Sequence, residues 1–134
     1  MDLNDVRVAR ARAAVRDVHR AGEILLGEAQ RRAPIEEGTL RGSGALAIVV
    51  SGQRFEGTGA LAGATALAEG LARAHSPITV TAEVSFNTVY AARQHEELDW
   101  RHPKGVQAKY LEQPLGELAP RLEAMIAAGQ ATAT

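Results

Sequence analysis

The sequence predicts an α+β fold in one domain over residues 1–134. The layout is a long N-terminal helix, a small antiparallel sheet with an Ala/Gly-rich insertion, a short helix and a C-terminal helix. Three observations lead there. Apolar residues recur at three- and four-residue intervals through the N-terminal segment, the period of an amphipathic helix. "SPITVTAEVSFN" alternates strictly, with Ile78, Val80, Ala82, Val84 and Phe86 set against Thr79, Thr81, Glu83 and Ser85, as a strand with one buried and one wet face does. Hydrophobic residues make up 46% of the chain but aromatics only 4%, so the core must be built from Ala, Leu, Val and Ile, most of which bury little area each. A core that thin is expected to draw on neighbouring subunits.

Leu3 to Ala33 reads as one helix, with Val8, Ala11, Val15, Val18, Gly22, Leu25 and Ala29 on one seam and Arg7, Arg10, Arg12, Arg16 and Arg20 largely off it. Its length is roughly 45 Å, long for a domain of this size. The small seam residues Ala11, Gly22 and Ala29 admit close approach either of the chain's own sheet or of another subunit. Pro34 ends the helix, and "PIEEGTLRGSG" follows as a loop punctuated by Gly38, Gly42 and Gly44. "ALAIVVS" (Ala45 to Ser51) is a strand. The insertion Gly57–His75 reads either as an Ala-rich helix from Leu61 to Ala74 or as a mobile excursion. After the alternating strand, "TVYAARQHEE" reads as a short helix and "LDWRHPKGVQ" as a loop. Leu115, Leu118, Leu122, Met125 and Ile126 mark a closing helix to about Ala128, starting near Pro114 with a bend at Pro120 or from about Gly116. Residues 129–134 are expected to fray. Two strands alone make a marginal sheet. Either short strands lie near Gln53–Glu56 or Val106–Lys109, or a neighbour completes the sheet.

Composition narrows the function. A net charge of −1 argues against gripping nucleic acid by phosphate neutralisation. Through Arg41 the basic residues (7, 10, 12, 16, 20, 31, 32, 41) are interleaved with acidic ones (2, 5, 17, 23, 28, 36, 37), the pattern of a solvated or interface face. There is no cysteine, hence no disulfide and no cysteine-based zinc site. No secretory core opens the chain, and no apolar run is long enough to span a membrane. "HEELD" departs from the zincin pattern H-E-x-x-H, because Asp99 stands where the second His belongs. Glu96, Glu97 and Asp99 crowd together, but Arg93 and Arg101 are near enough to neutralise them. "GTGALAGA" lacks the lysine and hydroxyl of a phosphate cradle, and there is no G-x-S-x-G. The expectation is a protein that is not an enzyme, with no catalytic, cofactor-binding or metal site.

Two segments bear on what it is instead. The first is "AQRRAPIEEGTLRGSG", in which Ala33-Pro34 and acidic residues precede Gly38, Leu40-Arg41 and Ser43. The second is "FNTVYAARQHEELDWRHPKGVQAKYLEQPL", in which Tyr90-Ala91 precedes Glu96 and Glu97, and Lys109-Tyr110-Leu111 precedes Pro114-Leu115. In this order they resemble the siphophage neck family of minor capsid, head–tail connector or tail-completion proteins, the gene-product-ten-like group. Its members show A-P-x-x-T/D-G-x-L-R-x-S, then Y-A-x-x-x-E, then K-[FY]-L-x-x-[AP]-L before the last helix. The resemblance covers roughly Ala29 to Leu115. It departs at "HEELDWRHPKG", which stands where the family often has Glu-x-Gly-Thr, and at Gly57–His75, which has no counterpart.

The resemblance implies a structural virion protein, assembled in the host cytoplasm and located at the neck between capsid and tail. It implies a hexameric or dodecameric homo-oligomeric ring that contacts portal, adaptor, stopper or tail terminator. DNA would pass through the lumen without sequence-specific binding, and neither cofactor nor membrane is involved. On this reading Arg41, Glu36 and Glu37 make loop salt bridges, and Tyr90 packs under the sheet edge. His95, Glu96, Glu97, Trp100 and Arg101 form a contact patch anchored by Trp100. A different non-enzymatic oligomer, structural or regulatory, is the alternative.

Overall fold

The computed structural model describes residues 2–32, 44–86, 94–99 and 109–133. Its elements are α1 (Leu3–Arg32), β1 (Gly44–Val50), β2 (Gln53–Glu56), α2 (Ala60–Arg73), β3 (Val80–Phe86), β4 (Gln94–Asp99) and α3 (Lys109–Thr132). The strands form one antiparallel sheet in the order β2-β1-β3-β4. The fold is α+β, as the sequence predicts.

The predicted seam of α1 is the centre of the core. Val15, Val18, Leu25 and Ala29 are fully buried, with Val8 and Ala11 close behind. At Gly22 a Cβ would come within 2.6 Å of Leu46 Cδ1 and 2.9 Å of Ala82 Cβ. Only a glycine lets α1 lie this close to the sheet, so the seam serves the chain's own sheet. On the sheet, Ile48, Val50, Val80, Ala82 and Val84 complete the buried face. The insertion is helical: α2 buries Ala64, Ala68 and Ala72 at four-residue spacing, a stripe narrow enough to pack against α1 and the β1–β2 hairpin. Gly63 abuts the Phe55 ring of β2.

The sheet is fuller than the two clear strands of the sequence. Gln53–Glu56 is a strand, one of the two places proposed for a missing one. It folds back from β1 through Ser51 and Gly52, both at positive φ (46° and 89°), as a two-residue hairpin turn requires. Ser51 then pins the connection into β3: its N–H donates to Thr79 O (2.8 Å), and its hydroxyl donates to Pro77 O (3.3 Å) and accepts from Thr79 N–H (3.2 Å).

Three expectations are corrected. Gln94–Asp99, whose first residues were expected to end a short helix, is strand β4, paired with β3 from Thr81↔Asp99 to Phe86↔Gln94. Val80, Ala82 and Val84 are wholly buried, and an unpaired backbone edge on such a strand costs more than the weak helical preference of a short polar segment gains. The sheet is thereby completed within the chain, so the argument that a neighbour must supply a strand falls away. The closing helix starts earlier than expected, at Lys109, and runs through both prolines. Gly116, whose carbonyl loses its donor at Pro120, is exposed to water. The helix runs past Gly129 to Thr132. Gly129 sits against the carboxylate of Asp17, where a Cβ would overlap it, and Gln130 Nε2 donates to Arg10 O at 2.8 Å. With Leu122 and Ile126 buried, these contacts seat the end of α3 on α1.

Candidate interaction surfaces

The described helices pack on one side of the sheet only. α1 meets it through Gly22 and α2 through Gly63, while α3 lies on α1. The other side is reached by counting alternate residues outward from the register. One cross-strand row runs Glu56, Ala47, Glu83, Glu97; the next runs Arg54, Val49, Thr81, Asp99; a third runs Ala45, Ser85, His95. Glu83 is mostly covered, at 18% side-chain exposure. It is ion-paired to Arg54, which also reaches Glu56 Oε2 at 3.5 Å. Glu83 Oε2 is shielded from water and makes no hydrogen bond, so Arg54 is its compensating charge. In the backbone register Glu83 pairs with Glu97. Among the described side chains this face therefore carries two carboxylates, Glu56 and Glu83, around one cation, Arg54 on edge strand β2.

The exposed side of α1 carries a row of arginines. Arg12, Arg16 and Arg20 are exposed at four-residue intervals, one ridge of the helix, turned away from the Gly22 contact with the sheet. Arg12 Nε donates to Glu69 Oε1 of α2 at 3.2 Å, and Arg73 reaches the same carboxylate at 3.4 Å. The Arg12 hydrogen bond holds the Glu69 carboxyl below its ordinary pKa, despite partial burial that pushes the other way. Arg16 grips the buried Asp17 with two hydrogen bonds, Nε to Oδ1 (2.8 Å) and Nη2 to Oδ2 (2.9 Å). That hydrogen bonding raises the Arg16 pKa above its usual value. Both side chains stay more than half exposed, at 58% and 60%, although their guanidinium nitrogens hold these carboxylates.

Of the residues singled out by the resemblance, His95, Glu96 and Glu97 lie on β4, the edge strand. They are not neighbours at a helix end. Glu36, Glu37, Arg41, Tyr90, Trp100 and Arg101 lie outside the described residues. Among the described residues no group of three or more His, Asp or Glu side chains is placed to hold a metal ion, and no helix is long and apolar enough to cross a membrane. Glu83 had a visible signal in the sequence, since it alternates onto the wet side of its strand. Its partner Arg54, on a strand proposed only as a possibility, had none.

Comparison with protein-family models finds no match to the chain, and neither curated proteins nor solved structures yield one.

Proposed function

We propose that the chain is a structural protein of a tailed-bacteriophage virion, one subunit of a ring that joins head to tail around the DNA channel. The phage part rests on the order of the three motifs. Lys109-Tyr110-Leu111 lies in the first turn of the last helix, where the family pattern has it before that helix. The observation that carries the ring is the charge asymmetry of the subunit: Glu56 and Glu83 on the outer sheet face, and an exposed arginine ridge, Arg12, Arg16 and Arg20, on α1. Two different, complementary patches on one subunit form a head-to-tail contact, and such contacts close into rings when the rotation permits. An isologous dimer would instead set like charge on like. Electrostatic complementarity also fixes register and suppresses wrong pairings.

Portal, adaptor, stopper or tail terminator are the partners above and below such a ring. Native mass spectrometry and negative-stain imaging of the purified chain, alone and mixed with the products of neighbouring genes, test the reading. Sixfold or twelvefold rings, with a major capsid protein and a tail tube encoded nearby, are the expected result. A chain that stays monomeric in every mixture, from a locus without virion genes, overturns it.

A further inference from the structure

A second feature lies apart from both charged faces. Where the N-terminal half of α1, the end of α2, the start of β3 and the end of α3 converge, a cavity of about 360 Å³ opens to solvent. Ala11, Ala14, Ala72, Ile78 and Val80 form its apolar part, and Arg7, Arg10, His75, Ser76 and Gln130 its polar part. Among the described residues, no acidic one lines it. Arg12, Arg16, Arg31, Arg54 and Arg73 each hold a carboxylate. Arg7 and Arg10 have no carboxylate partner among the described residues.

His75 is held here at a conformational cost. α2 ends with Ser76 N–H donating to Leu71 O (2.9 Å) and His75 N–H donating to Ala72 O (3.1 Å). This is the two-bond helix stop whose following residue is ordinarily glycine, because it takes left-handed φ. His75 occupies that position at φ 58°, which disfavours a residue with a Cβ. A strained residue at a pocket is an observation from which function is fairly argued. The ring is not idle: Arg7 Nη1 lies at 2.5 Å from His75 Nδ1. A guanidinium only donates, so Nδ1 accepts and a neutral His75 carries its proton on Nε2. Arg7 and His75 thus orient one another at the rim.

We propose that this cavity binds a carboxylate borne on a short aliphatic body. The carboxylate lies against the Arg7, Arg10 and Ser76 side, where charge-assisted hydrogen bonds to guanidinium are strong, and the aliphatic body lies on the alanine, Ile78 and Val80 floor. The volume is at the lower end of ligand pockets, which fits a small occupant. Two sources carry this chemistry, a free short-chain acid and the C-terminal carboxylate of a peptide ending in an aliphatic residue. The proposal is independent of the ring reading.

The test is titration of the full chain, followed by calorimetry and by methyl NMR of Ala11, Ala14 and Ala72. The probes are hexanoate, 1-hexanol, inorganic phosphate, and N-acetyl-Ala-Leu with its C-terminus free or amidated. Hexanoate or the free-acid peptide is expected to bind about tenfold more tightly than its uncharged counterpart and to move those methyl signals. Whichever of the two binds more tightly identifies the source. Arg10→Ala is expected to weaken binding about tenfold. His75→Gly is the decisive variant: it relieves the left-handed strain, so its thermal midpoint holds or rises while affinity falls several-fold. Equal binding of hexanol, phosphate binding as tight as hexanoate, no binding at all, or unchanged affinity in Arg10→Ala and His75→Gly each overturns the proposal.

Discussion

On the inner face of the sheet, Leu46, Ile48, Val50, Val80, Ala82 and Val84 pack in one apolar cluster with α1. On the outer face, the same strands present Ala45, Val49, Arg54, Glu56, Thr81, Glu83 and Ser85, and no described helix packs there. One face is apolar and sized to its partner within a fraction of an ångström. The other is charged, and in its backbone register Glu83 pairs with Glu97. A face under no selection for contact would be expected to spread its charges. This one gathers acid around one arginine while the ridge of α1 gathers arginine. Inner-face residues are therefore expected to govern folding, and outer-face residues to govern association.

Substitutions test that division, beginning with the largest effect on folding. Ile48→Ala empties a wholly buried site between strands and α1. It should destabilise the subunit by about 2–5 kcal/mol, seen as a lower midpoint in urea unfolding with an unchanged slope. Gly22→Val drives branched carbon into Leu46 and Ala82 and should cost about 2 kcal/mol by the same measurement. If it were neutral, the close approach of α1 to the sheet would be wrong.

The smallest effect concerns Glu69, on the helical side. Its folded pKa is depressed, first by the Arg12 hydrogen bond, so it contributes stability above its unfolded pKa and loses it as pH falls through the lower folded value. The loss begins near the ordinary glutamate pKa of 4.5 and proceeds downward. Arg12→Ala should flatten this part of the stability-versus-pH curve by a fraction of a kcal/mol and move the Glu69 titration upward by NMR. A Glu69 titration unchanged in the variant would contradict the assignment.

How much of this was legible follows from what each residue depends on. The α1 seam and β3 are periodic over many residues, so burial is written into their spacing. α2 was one of two open readings, because an alanine run carries no strong signal for what it packs against. β4 was missed because "HEELD" shows no apolar alternation; its conformation is fixed by the open edge of β3, which is not encoded in the segment itself. The seating of α3 on α1, where the missing side chain of Gly129 leaves room for the Asp17 carboxylate, had no signal because the two residues are far apart in the sequence. Arg7 and His75 are 68 residues apart, and nothing in either neighbourhood announces the other. The arginine ridge was visible as residues off the seam, but its meaning depends on the carboxylates of the outer sheet face.

The most direct test of the central claim is a charge swap between the two faces. Glu56 and Arg20 are exposed, and neither belongs to the core, so Glu56→Lys and Arg20→Glu should each leave the monomer folded. Native mass spectrometry at fixed concentration and low salt is expected to show loss of the ring in each single variant. The ring should return in the double variant, where every head-to-tail contact again joins opposite charge. Intact rings in both single variants, or no recovery in the double variant, would contradict assembly through these faces.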